Sequence, residues 1–200
     1  MIGNAVRLAN TTGTINIVSW DQYGDPSTVF GEPVSTRRAI TRALTAASRT
    51  ATFTNLSRTL TSADLATAHV LLIPEMEEAG IRDVDRAATA MRAIIRTFVD
   101  GGGVVIGCDI SWDGSEPLRT IRMLTQLGYV TGFSSARRWV RRSLYVHAGS
   151  SPIADGVSRY IAGDATVYYT GIRGVGGTST NVITVDAAGT GAPVVLHIEY

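Results

Sequence analysis

Lysine is absent from the 200 residues: all 18 basic side chains are arginine, set against 17 acidic ones for a net charge of +1. Binding to the nucleic-acid backbone normally leaves a basic excess, so this near-neutral balance argues against a nucleic-acid partner. Arginine pairs bidentately with carboxylates and stacks on aromatic rings, which suits an all-arginine surface to polar protein contacts. Cysteine is nearly absent too. The single Cys108 excludes an internal disulfide and any multi-cysteine metal site. No apolar run approaches the ~20 residues of a membrane span. The opening MIGNAVRLANTTG lacks the basic segment and long apolar stretch of a signal peptide. The expectation is a soluble chain with no export signal as written. Abundant threonine, serine and glycine are also compatible with a secreted or cell-surface setting.

What is present is globular. A hydrophobic content of 44% with 18% charged residues allows a sizeable core. With no repeat of fixed period and no low-complexity linker, residues 1–200 read as one domain. Thr14 to Trp20 is β-branched and predicts a first strand, followed by turn chemistry in DQYGDPSTVFGEP. Val34, Ile40, Ala43, Leu44 and Ala47 predict a helix over 34–48, with Arg37, Arg38 and Arg42 available for its wet side. Thr50 to Thr54 reads as a second strand, Ser62 and Asp64 as caps of a brief helical turn, and His69 to Ile73 as a third strand.

The clearest helix runs from Asp83 to Val99, with Val84, Ala87, Ala88, Met91, Ile94, Ile95 and Phe98 in one stripe; Asp100 and three glycines stop it. Val104 to Cys108 has no polar alternation, which suits a central parallel strand covered on both faces. A further helix is predicted from about Glu116 to Leu127. Beyond residue 130 the chain turns strand-rich, with Arg138 to His147, Thr166 to Tyr169, Asn181 to Asp186 and Pro193 to Glu199 as strands. Alternating β and α followed by strands predicts an α/β fold, a mostly parallel sheet between helical layers with extra C-terminal strands.

Cys108 ends the second strand of a βαβ unit, where the loops after strands carry chemistry. A nucleophilic cysteine needs a lowered pKa, a base, and backbone N–H groups for the oxyanion. His197 and Glu199 in PVVLHIEY supply the types of a base and its orienter at alternating strand positions. The order of strand, acidic loop, helix, FVDGGGVVIG and late HxE, from Thr14 onward, resembles the class I glutamine amidotransferase-like superfamily. It is also similar to branches without the catalytic cysteine, including trehalose-utilisation-type domains. The resemblance implies a flavodoxin-like three-layer sandwich. In the active family it implies a cysteine in a GxCxG elbow, glycines in the oxyanion loop, and an HPE motif. Here Cys108 directly follows Gly107, Asp109 takes the next place, and the oxyanion loop reads Pro74, Glu75, Met76, Glu77, Glu78. Carboxylates there would repel a developing oxyanion.

The resulting expectation is a non-catalytic amidotransferase-like domain acting in binding or as a subunit of a homo-oligomer, with no cofactor. The alternative is a cysteine-dependent hydrolase or amidotransferase using Cys108, His197 and Glu199. Asp21, Asp25, Glu75, Glu77, Glu78, Asp109 and Asp113 all follow predicted strands, and such loops gather at one sheet edge. Asp21, Glu75, Glu77 and Asp109 are the candidate binding residues. No spacing motif supports a metal site. Arg137, Arg138, Arg141 and Arg142 around Trp139 fit an edge strand or a subunit contact. His69 and His147 read as structural.

Overall fold

A computed structural model describes residues 1–9, 12–25, 31–109, 118–132, 135–139, 142–147, 149, 151–157, 160–163, 166–184 and 193–200. Its contacts gather into two compact units. One comprises Ile2–Asp109 with Arg119–Gln126, and the other is built mainly from Leu127–Tyr200.

In the first unit, α1 (Ile2–Arg7) precedes β1 (Ile15–Trp20), α2 (Glu32–Ala46), β2 (Ala51–Leu56), the short α3 (Ser62–Leu65) and β3 (Val70–Ile73). Then follow α4 (Ile81–Asp100), β4 (Val104–Gly107) and α5 (Arg119–Leu127). The four strands are parallel in the order β2-β1-β3-β4, so the chain reverses direction across the sheet at β1 and β3. That order and its switch point are flavodoxin-like. β3 is buried at all four positions, which explains its unbroken apolar VLLI.

Strand alternation divides the side chains between two helical layers. Ile15, Ile17, Val70 and Leu72 meet Val6 of α1, Ala9 just after it, and Ile40 and Leu44 of α2, with Val104, Ile106 and Cys108 packed at the margin. On the other face, a Cβ added at Gly107 would lie 2.7 Å from Thr120 Cγ2 and 3.3 Å from Leu124 Cδ1, so α5 rests directly on β4. Arg122 of α5 binds Asp85 of α4 through two nitrogens at 2.7 and 2.6 Å, joining those helices side by side. α4 buries Val84, Ala87, Ala88, Met91 and Ile95, the stripe its sequence predicts.

Three details differ from the sequence expectation. α1 has no counterpart there. β4 pairs only with β3 among the described residues, and Val104, Val105 and Ile106 are half-buried, so the strand expected to be central lies at the sheet's end. Arg38 and Arg42 are exposed, but Arg37 is largely covered because Asp21 neutralises it.

The second unit is antiparallel. β5 (Val130–Thr131) pairs β10 (Arg173–Gly174), and β6 (Ser135–Trp139) pairs β9 (Thr166–Thr170). β12 (Pro193–Glu199), β11 (Thr178–Thr184), β7 (Arg142–Val146) and β8 (Tyr160–Gly163) form a four-stranded sheet in that order. Leu144, Val146, Ile153, Val182 and Ile183 are buried in this unit. Among the described residues these strands pair with one another rather than extending the parallel sheet. The run expected as one strand over 138–147 is two strands in different sheets. Residues 140 and 141 lie outside the described residues.

Candidate functional site

The carboxyl ends of β1, β3 and β4 carry the residues that the βαβ pattern singled out. β1 ends in Ser19 and Trp20, and Asp21 follows it. Ser19 is fully buried, and its hydroxyl donates to Asp21 Oδ1 at 2.5 Å. Arg37, one turn into α2, donates from Nη1 to Asp21 Oδ2 at 2.5 Å and to Ser19 Oγ at 3.3 Å. The pair is only 18% and 16% exposed at its side chains, so Asp21 spends its charge inside the fold rather than on a free rim. The Glu78 N–H donates to the Tyr23 carbonyl at 3.0 Å and ties the loop after β3 to the loop after β1.

Cys108 follows β4, and its N–H donates to the Ile73 carbonyl at 2.9 Å. Its thiol belongs to the side of the sheet that carries Val104 and Ile106, against the core between α1 and α2. Burial, joined by the carboxylates of Asp109 and Glu75, pushes the thiol up to about 12. Both effects disfavour the thiolate. Glu75, in the loop after β3, is itself only 8% exposed.

Asp109 accepts the Ile121 N–H on Oδ2 at 2.9 Å. Ile121 is the third residue of α5, whose first N–H groups have no partner inside the helix. A carboxylate at this end satisfies one donor and lies at the positive end of the helix dipole. Asp109 thus fixes α5 as well as acting on the thiol. Glu77 is half-buried in the turn after β3, Glu78 is exposed, and Asp113 lies outside the described residues. Among the described residues, no three His, Cys, Asp or Glu side chains converge as metal ligands.

His197 and Glu199 belong to the second unit, on β12. There the imidazole Nδ1 meets Ser151 Oγ at 2.9 Å, and Nε2 lies 3.7 Å from Glu199 Oε1. Ser151, 5% exposed, also accepts the Ile153 N–H at 3.2 Å and caps the 3₁₀ turn Pro152–Ala154. The HxE pair is thereby engaged with a serine 46 residues earlier in the chain. The other histidines are also held locally: His69 Nδ1 accepts the Asn16 N–H at 3.0 Å, and His147 Nε2 meets Thr184 Oγ1 at 2.7 Å.

Sequence reasoning passed over Ser19, Arg37 and Ser151. The SWD run ending β1 places Ser19 and Asp21 two apart, a spacing that favours local side-chain bonding. Nothing in the sequence separates Arg37 from its neighbour Arg38. Of the arginine stretch, Arg137, Arg138 and Trp139 fall in β6 and Arg142 opens β7, while Arg141 lies outside the described residues. Compared with models of protein families, with curated proteins and with solved structures, the chain has no match.

Proposed function

We propose that this chain is a non-catalytic, amidotransferase-like α/β domain that works by binding a protein partner or as a subunit of a homo-oligomer, in a secreted or cell-surface setting and without a nucleic-acid partner. The observation that carries the reading is the state of Cys108. A nucleophilic cysteine acts as its thiolate, and the packing of Cys108 at the margin of the sheet core, joined by the carboxylates of Asp109 and Glu75, pushes its thiol up and away from that form. The two carboxylates that add to the effect of burial would also oppose an oxyanion formed beside the thiol. An acyl-transfer site needs the reverse electrostatics at both places.

Alkylation by iodoacetamide near neutral pH tests this reading. The native protein should react far more slowly than the same chain unfolded in urea. Native labelling faster than that of the unfolded chain would restore the cysteine-hydrolase reading. Light scattering on a dilution series separates the two modes of action. A monomer that persists at all concentrations removes the homo-oligomer and leaves partner binding.

A further inference from the structure

β2 ends the parallel sheet: among the described residues it pairs with β1 on one side and with no strand on the other. Two contacts fix which of its backbone groups are used. The Ile15 N–H donates to the Thr50 carbonyl at 3.0 Å, and the Asp21 N–H donates to the Leu56 carbonyl at 2.7 Å. Alternate residues of a parallel strand bond to the same neighbour, so the even-numbered residues of β2 face β1. Ala51, Phe53 and Asn55 therefore turn their N–H and C=O groups outward, and no described residue takes them up. Thr52, Thr54 and Asn55 are exposed. The edge also carries none of the devices that close such a strand, since ATFTNL has no charge, no proline and no bulge in its six pairs with β1.

The chain around this edge is basic. Residues 33–63 hold five arginines and no aspartate or glutamate. Asp21 and Asp64 neutralise Arg37 and Arg58, while Arg38 and Arg42 are exposed on α2. Among the described residues Arg42 makes no hydrogen bond or ion pair. α1 touches β4, and its Gly3 meets Ala43 of α2, so α2 lies on the β1 and β2 side of α1. Arg38 and Arg42 stand about 140° and 100° around the helix from Ala43, on the flank turned away from α1 and toward the free edge.

We infer that the free edge of β2 accepts an extended acidic segment of a partner protein as a fifth strand, with its carboxylates on Arg38 and Arg42. The inference rests on the binding mode proposed above and names its partner. Three outward N–H groups alternating with three C=O groups match another extended backbone, which supplies both acceptors and donors. A phosphate chain offers only acceptors and would leave the carbonyls unanswered. Ala51 and Phe53 pack on the α2 side of the sheet, so partner side chains beside them rise toward the arginine flank. A second copy of β2 fits poorly, because two-fold pairing would set the two arginine flanks against each other.

Amide hydrogen exchange of the full chain, with and without a peptide of about eight residues alternating glutamate and valine, tests it. The peptide should slow exchange at Ala51, Phe53 and Asn55 by at least about tenfold, with less change at Thr52 and Thr54, which already bond to β1. The same peptide with lysine for glutamate should bind at least about tenfold more weakly, as should the acidic peptide to Arg42→Glu. N-methylation of one alternate set of peptide amides, the set turned to β2, should abolish binding, and methylation of the other set should not. Asn55→Pro removes one outward N–H without touching the β1 ladder and should also weaken binding; it carries the test if Arg42→Glu loses the native spectrum. No added protection at the three amides, equal binding of the lysine peptide, or indifference to both methylated sets overturns the inference. A single-stranded oligonucleotide protecting the same amides as tightly, or their protection by raised protein concentration alone, overturns it as well. Fast native alkylation of Cys108 with peptide protection intact would remove the non-catalytic reading and leave this one standing.

Discussion

Gly3 lies in α1 facing α2, and replacing it by alanine sets two effects of opposite sign against each other. In an isolated helix the change is favourable by about 1 kcal/mol, because alanine loses less backbone entropy than glycine. In this fold the added methyl would overlap Ala43 Cβ, and the Ala43 Cα would stand 3.5 Å away. Carbon atoms attract best near 3.5–4.0 Å, so the two helices would have to spread. Spreading uncovers the cluster in which Val6 and Ala9 meet Ile40 and Leu44. Overpacking of this kind costs about 1–3 kcal/mol, which exceeds the propensity gain and leaves Gly3→Ala destabilising by about 1 kcal/mol. Native-state hydrogen exchange at the amides of Ile17 and Leu72 reads the stability of this unit without assuming that the whole chain unfolds in one step. Ala43→Gly costs about 1 kcal/mol alone. Combined with Gly3→Ala it should recover about 1 kcal/mol of coupling, because it removes the opposing methyl. A Gly3→Ala protein more stable than the parent would refute the α1–α2 contact, and with it the covering of this face by α1.

Two further substitutions test the electrostatics around the sheet. Asp109→Ala should cost about 1 kcal/mol through loss of the Ile121 cap, with Asp109→Asn losing less, measured as faster exchange in the first turns of α5. Asp64 accepts the Thr61 N–H at 2.8 Å and two nitrogens of Arg58 at 2.8 and 2.6 Å, and the Arg58 pairing holds its carboxyl below the usual carboxylate range. A carboxyl lowered by folding stabilises above its unfolded value near ~4 and loses that contribution as pH falls through the folded one. Asp64→Asn should therefore cost about 1 kcal/mol at neutral pH, with the difference from the parent shrinking below about pH 4 in urea titrations. A difference independent of pH would show that the charge contributes nothing.

The parallel core was legible because its signals are local. VLLI carries an apolar run that only a covered strand tolerates, and α4 repeats its stripe from Val84 to Ile95 before three glycines, whereas VVIG marked a strand without marking its half-buried place at the sheet's end. α1 was not legible, because six residues containing Gly3 and Asn4 show no period, and their burial depends on α2. The carboxyl edge of the sheet was legible as a place and not as a set of roles. Asp21 and Asp109 read alike as loop acids, yet one is neutralised by Arg37, sixteen residues on, and the other caps a helix at Ile121. Likewise, alternation put His197 and Glu199 on one face of a strand but could not supply Ser151. Such pairings are made by the tertiary fold, and no spacing rule in the sequence encodes them.

The account rests on a thiol kept protonated by burial and by two neighbouring carboxylates, and Cys108 is the only thiol in the chain. Its S–H stretch can be followed by Raman spectroscopy as pH is raised. The account predicts that the band persists well above the ~8.5 of a free cysteine, and that Glu75→Gln with Asp109→Asn brings its loss to lower pH while leaving it above that value. Loss of the band at or below pH ~8.5 in the unsubstituted native protein would contradict it.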